Sequence, residues 1–196
     1  MRGIRVILVA MEVRPTIAGD IDSLLEIDGV IDSSDYLHIE RAGEGLGISW
    51  RLDERPLRTR LIERNAMDDE VRFGLRQIIS GADEGLALLA EHESRVVASL
   101  VAQIQPSAGL LRLLDLRVDF DQRRQGLATV LLYRLIQEAR DRGLRAVMAQ
   151  TRTNNLPAAK LLLKTGFDIA GLDAQFHSNH DLVKEAVTLF WYAALD

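Results

Sequence analysis

Arg123-Arg124-Gln125-Gly126-Leu127-Ala128 lies between an apolar stretch that reads as a strand, 110–118, and an amphipathic helix predicted over 126–142. Gly126 carries no Cβ, so an anion can approach its backbone closely. The helix that starts there aims unpaired N–H groups and the positive end of its dipole at that anion. The stretch therefore reads as a main-chain cradle for a pyrophosphate. The helix pattern behind it is clear. Leu127, Leu131, Leu135 and Ala139, with Ala128, Leu132 and Ile136, form a broad apolar stripe, and Gly143 ends it.

Downstream of that unit, 145–151 reads as a buried strand, Asn155 as an N-cap with Pro157 in the first turn, and the following helix runs to Gly166. Two final strands, 167–176 and 186–194, flank a polar connection. Upstream, 86–91, 96–104 and 110–118 are short apolar runs separated by Glu93-Ser94 and by Gln105-Pro106-Ser107-Ala108-Gly109, which predicts an antiparallel meander. A helix over 68–79 ends at Gly81. The N-terminus reads as a strand over 5–14, ended by Pro15, and then a helix over 16–27. The segment 28–65 is less regular, with a strand-like 48–52 and a polar stretch that suit part of a substrate lip. Its Gly43-Glu44-Gly45-Leu46-Gly47-Ile48 lacks the third glycine of the dinucleotide fingerprint and carries a carboxylate that repels phosphate, so it reads as a flexible turn.

Composition narrows the class. A chain of 196 residues, 47% hydrophobic and 27% charged, suits one domain over 1–196. Met11 offers a second natural start, which makes 1–10 a candidate N-terminal extension. With no cysteine there is no disulfide, thiolate nucleophile or cysteine-bound zinc, which fits the cytoplasm. The apolar run 6–11 is too short to span a membrane or form a signal core. A net charge of −5 argues against nucleic acid as partner and suits a cationic substrate. His38, His92, His177 and His180 show no paired ligand spacing, so no metal is expected. No serine sits in a nucleophile elbow and no Gly-x-x-x-x-Gly-Lys occurs, which removes hydrolase and nucleotide triphosphatase readings.

The order strand, Arg123 to Ala128, helix, strand, Asn155-x-x-Ala158, Gly166-Phe167 resembles the GNAT family, the Gcn5-related N-acetyltransferases. A finer resemblance, to streptothricin acetyltransferases, is carried by Ile48-Ser49-Trp50, Leu113-Leu114-Asp115-Leu116-Arg117-Val118, Gly166-Phe167-Asp168-Ile169-Ala170-Gly171-Leu172-Asp173 and Phe190-Trp191-Tyr192. The resemblance implies an α/β (α+β) fold with a mixed central sheet of six to seven strands, antiparallel in its N-terminal part, flanked by about four helices. It implies acetyl-CoA as co-substrate, a small-molecule amine as acceptor, and a homodimer, as relatives often form. Coenzyme contacts fall on Arg123, Arg124, Gln125, Gly126, Leu127, Ala128 and Thr129 of the loop and helix start. They fall also on the backbone of Leu116, Arg117 and Val118, on Asn155, and on Lys164, whose alternative with Lys160 is merely to solvate its helix.

In such chemistry an amine attacks the thioester, giving an oxyanion that collapses to an amide and a thiolate. A lysine-like amine with pKa about 10.4 costs roughly 4.6 kcal/mol to neutralise at pH 7. Preorganised backbone donors to the oxyanion commonly contribute about 3 to 4 kcal/mol. Asp115 is the first candidate to take the proton or grip the substrate ammonium; its equal alternative is a structural pairing with Arg117. His177 is a candidate to protonate the thiolate or contact substrate, and Tyr133 and Tyr192 are further candidates, against the alternatives of a solvated loop and core aromatics. The departures from the family are specific. Leu114 stands where the subfamily often has glutamate, Leu162 where many members place an acid tyrosine, and His177 where the subfamily often has tyrosine. The favoured activity is N-acetylation of a small cationic amine, with a streptothricin-type antibiotic as one candidate. A protein N-terminal or lysine acetyltransferase, or a degenerate acyl-CoA sensor, are the alternatives.

Overall fold

The computed structural model describes residues 11–64 and 66–195. In chain order the elements are β1 (Glu12–Pro15), α1 (Ile21–Leu25), β2 (Ile31–Ala42), β3 (Ser49–Glu63), α2 (Asp69–Ser80), β4 (Gly85–His92), β5 (Arg95–Gln105) and β6 (Leu110–Val118). They continue as α3 (Leu127–Asp141), β7 (Ala146–Arg152), α4 (Leu156–Lys164), β8 (Asp168–Asp173) and β9 (Thr188–Ala194). Seven strands make one mixed sheet in the order β1-β4-β5-β6-β7-β9-β8, and β2 with β3 form a separate two-stranded ribbon. Among the described residues, only β6 and β7 pair in parallel within that sheet. This is the expected mixed sheet with four helices.

Strand alternation sorts the helices onto two faces. Leu88 and Ala90 of β4 enter the larger core with Leu131, Leu132 and Leu135 of α3 and Ala159 and Leu162 of α4. Ala87 and Leu89, one residue out of phase, meet Leu24 of α1 and Val71 and Leu75 of α2 in a second cluster. A strand covered on both faces is apolar throughout. That is why 86–91 and 96–104 were readable as runs. Each of Leu131, Leu132 and Leu135 is fully buried, worth about 1.5–3 kcal/mol apiece in area removed from water.

Local signals fixed the element ends. Asp68 caps α2 by accepting from the Val71 N–H at 2.8 Å, and Gly81 closes it in the left-handed region. Glu93 and Ser94 both have positive φ, the twist that joins β4 to β5 in a two-residue hairpin.

One N-terminal expectation differs from the structure. Residues 1–10 lie outside the described residues, and with them most of the strand expected over 5–14. Pro15 ends β1 as its last residue and pairs with Leu88, which is tolerated on a sheet edge. The helix expected over 16–27 reduces to a 3-10 turn at 18–20 and five residues of α1. The Asp20 carboxylate accepts from the Ile17 N–H at 2.9 Å and from Arg14 at 2.7 Å, and α-helical geometry begins only after it.

The segment 28–65, expected as a lip with one short strand, holds a long hairpin formed by Ile31–Ala42 and Ser49–Glu63. Its tip is the glycine turn: a Cβ on Gly43 would collide with the Gly47 carbonyl oxygen, so only glycine fits. Its base is tied to the sheet. Arg152 Nη2 donates to Glu63 Oε2 at 2.7 Å, Arg123 Nη2 donates to the Val30 carbonyl at 2.6 Å, and Leu37 N donates to the Thr153 carbonyl at 3.0 Å.

Candidate active site

Residues of β6 and β7 run side by side only from Leu110 to Arg112, opposite Ala146 to Met148. Beyond that register the strands part. Leu113 and Asp115–Val118 keep their partners in β5, while β7 is paired on its other side with β9 along its whole length. A bulge assists the parting: Ala102 faces Leu113 and Val101 faces Asp115, leaving Leu114 as the extra residue. Leu114 then packs into the α1/α2 cluster, so the leucine that replaces an acidic candidate is a packing residue. A parted edge exposes a row of backbone amides between two parallel strands that share one carboxyl end. Open sheets bind ligands at such places.

At that end stands the loop. Arg124 and Gly126 both take left-handed φ, +62° and +86°, and α3 starts at Leu127. The first intrahelical bond runs from Val130 N to the Gly126 carbonyl at 3.0 Å. The amides of Leu127, Ala128 and Thr129 therefore have no acceptor within the helix and point to its open end. Among the described residues, nothing beyond its own chain neighbours lies within 4 Å of where a Gly126 Cβ would stand. The glycine is required by its φ, and the space above it is open to a ligand.

The loop's side chains act differently from its backbone. Arg123, expected to assist phosphate binding, turns inward. Its Nη2 reaches the Val30 carbonyl at 2.6 Å, its Nε the Val118 carbonyl at 3.2 Å, and it sits over the Phe120 ring. Burial pushes its guanidinium down from the ordinary value, with Asp28, Asp119 and Asp32 opposing. Asp119 also faces inward, 2% exposed, and accepts from Arg95 at 2.6 Å. A carboxylate next to the cradle is thereby removed from it. Arg124 and Gln125 remain exposed on the loop, with Gln125 Nε2 donating to Gln122 at 3.2 Å.

Asp115 stands in a two-bond ion pair with Arg117, Nε to Oδ2 at 2.7 Å and Nη2 to Oδ1 at 2.6 Å. That is the arrangement of the structural alternative. Leu116 and Val118 turn toward the α3/α4 core, so what this stretch offers the parted edge is main chain. Asn155 caps α4, accepting from the Ala158 N–H at 3.3 Å. The amino ends of α3 and α4 thus lie at the same end of the two parallel strands. Lys164 is at the other end of α4, about 13 Å along the axis, where its charge complements the helix's negative pole. Lys160 pairs with Glu54 of the hairpin at 2.7 Å. Leu162, in the place of an acid tyrosine, is 3% exposed and belongs to the core.

His177 lies exposed in the β8–β9 connection and does not meet Asp115 in any hydrogen bond. Its N–H donates to Asp181 Oδ2 at 2.9 Å, and it lines a hollow with Arg152 and Lys184. Asp181, 1% exposed, also accepts from Ser178 Oγ at 2.6 Å. The Ser178 hydroxyl, helped by the His177 N–H, holds its carboxyl below the ordinary range. Tyr133 is exposed on α3, and Tyr192 packs partly buried beside Leu110 and Met148.

Residues 49–167 match the sequence model of the acetyltransferase (GNAT) family. The chain belongs to that family. Over 78 residues this GNAT chain is 31% identical to streptothricin acetyltransferase A of Bacillus subtilis (strain 168), which covers 40% of the chain and 44% of that relative. The match thus spans less than half of the relative's length. Two solved structures share its fold over nearly the whole chain. Nourseothricin acetyltransferase superposes with a TM-score of 0.75 at 18% identity, covering 95% of this chain and 99% of that one. A Bacillus anthracis str. Ames protein solved in complex with acetyl coenzyme A gives 0.74 at 19% identity, covering 96% and 99%.

The sequence suggested a substrate lip over 28–65 but singled out none of the side chains that this hairpin brings to one cavity. Tyr36, His38 and Arg58 of the hairpin and Glu185 of the β8–β9 connection line one cavity beside Thr153. The signal was present but weak: Leu37 and Ile39 alternate with His38 and Glu40 at period two.

Proposed function

We propose that this GNAT chain is an acetyl-CoA-dependent N-acetyltransferase that acetylates a primary amine of a small cationic substrate. The observation that carries the reading is the parting of β6 from β7 beside a loop of acceptor-free amides at their common carboxyl end. The pyrophosphate of the coenzyme fits the amides of Leu127, Ala128 and Thr129 and the open space over Gly126. The pantetheine arm runs along the amides of Leu113–Val118, and the same edge offers the thioester oxygen preorganised donors. Arg124 contributes charge from the loop surface, while Arg123 holds the loop to the hairpin. A net charge of −5 favours a cationic acceptor. The relatives named for streptothricin support an acceptor of that type.

Thiol release from acetyl-CoA, measured against streptothricin, polyamines, aminoglycosides and lysine peptides, tests the reading. We expect turnover with at least one small polycationic amine and none with the peptides. Acetyl-CoA binding without thiol release on any amine would instead favour an acyl-CoA sensor.

A further inference from the structure

The cavity between the hairpin and the β8–β9 connection encloses about 320 Å³, within the range of small-ligand sites. Leu37, Ile39, Leu182 and Val187 give it aliphatic walls. Its polar groups converge. The Tyr36 side chain is buried, 8% exposed, and its hydroxyl lies 2.8 Å from His38 Nδ1. Burial raises the Tyr36 phenol above its ordinary value, the charge of Glu185 adds to this, and Arg55 and Arg58 oppose it. The phenol stays protonated beside a carboxylate.

Glu185 is unusual in its backbone. Ala186 N donates to the Asp181 carbonyl at 2.9 Å and Glu185 N to the Leu182 carbonyl at 3.2 Å, which is the closure that normally puts glycine in the left-handed position. Here that position, φ +58°, holds glutamate. Backbone strain at a polar, ligand-sized cavity points to a use for the side chain. Its carboxylate is 11% exposed, accepts from the Arg58 backbone N–H at 3.5 Å, is hydrogen-bonded to the Tyr36 side chain and meets Arg58 Nε at 3.3 Å, but the Arg58 side chain is 75% exposed, so that ion pair is a weak rim pair. The cavity is also fixed to the site. The Thr153 hydroxyl donates to the Glu185 carbonyl at 2.8 Å, and the Thr153 carbonyl accepts from Leu37 N at 3.0 Å. Thr153 follows directly on β7, the strand that parts from β6.

An ammonium has three N–H donors and no acceptor, and the cavity offers a carboxylate, a phenol oxygen and an imidazole at the end of aliphatic walls. We propose that this cavity takes the aliphatic amine arm of the acceptor, with Glu185 gripping the ammonium and Tyr36 and His38 completing its polar end. The assignment rests on the N-acetyltransferase reading for the word acceptor, but the amine site itself can be tested apart from it.

Cadaverine, a diamine on a five-carbon arm, serves as probe, and the imidazole nitrogens of the four histidines are followed by NMR. Saturable movement of the His38 signals is expected, with glutarate, a dicarboxylate of the same length, leaving them unmoved. Glu185→Gln is expected to weaken cadaverine about tenfold or more, the cost of a charge-assisted hydrogen bond, while calorimetry shows an unchanged acetyl-CoA affinity. Should Glu185→Gln fold poorly, Glu185→Gly, which suits the backbone, carries the same expectation. An unmoved His38, equal binding of glutarate, or undiminished cadaverine affinity in both variants overturns the proposal. If wild type binds cadaverine at His38 but not acetyl-CoA, the acetyltransferase reading fails and the amine site stands. For any amine found to turn over, Glu185→Gln should raise KM more than it lowers kcat.

Discussion

Replacing Asp115 with asparagine separates a strand-bracing carboxylate from a catalytic one. The carboxylate makes two bonds to Arg117, at 2.7 and 2.6 Å, and the two side chains are 9% and 2% exposed. Asparagine keeps the shape but turns an NH2 donor toward a guanidinium that is itself only a donor. One bond and the compensating charge are lost together. Breaking a buried pair from one side costs about 3–5 kcal/mol, a large part of the roughly 5–15 kcal/mol that holds a domain folded. For a chain of this size each kcal/mol moves the midpoint about 2–4 °C, so Tm should fall by roughly 6–20 °C. Calorimetry and urea titration measure that loss. Thiol release from about pH 6 to 9, run below the transition, measures turnover and should keep the wild-type profile. Replacing both partners by apolar residues, Asp115→Leu with Arg117→Met, should recover most of the stability, because neither charge is then left in the core. The reasoning is refuted if Asp115→Asn unfolds within about 1 kcal/mol of wild type yet loses turnover; Asp115 would then be a base and the ion pair incidental.

Other perturbations follow from the same geometry. Gly126→Val forces a β-branched residue into φ +86° and fills the space over the helix start. It should cost about 1–2 kcal/mol of stability and lower CoA affinity about a hundredfold or more by loss of amide contacts to a charged group, and calorimetry showing affinity within twofold would remove the cradle. Asp181 titrates below the ordinary carboxylate value because the Ser178 hydroxyl and the His177 N–H hold its ionised form. A depressed carboxyl contributes stability above its unfolded value and loses it as pH falls through the folded one, so acid unfolding below about pH 4 should be less steep in Ser178→Ala; an unchanged acid limb would contradict the assignment. Glu185→Gly removes left-handed strain while losing an exposed rim pair and gaining chain entropy when unfolded, and its unfolding free energy should stay within about 1 kcal/mol of wild type. A larger loss in a denaturant series would make Glu185 a structural residue.

The chain's periodicities determined the sheet and the loop and helix start proposed to hold the coenzyme. Leu131, Leu135 and Ala139 can be buried together only on a helix, 86–91 and 96–104 are apolar on both faces because helices cover both, and Gly126 precedes free amides wherever the helix packs. These features are local or depend on one face, and one-dimensional pattern carries them. The hairpin was nearly illegible for the opposite reason. Its strands are mostly exposed, its charged residues pair across the ribbon or with a helix, as Asp32 does with Arg60 and Glu54 with Lys160 of α4, and solvent imposes no clear period. Only the tertiary structure decided the fate of single charges. It turned Arg123 from the phosphate side to the Val30 carbonyl, closed Asp115 on Arg117, and brought Tyr36 within reach of Glu185, about 150 residues away in sequence. Pairings at that separation are set by which surfaces the packed sheet leaves adjacent, and no local propensity encodes them.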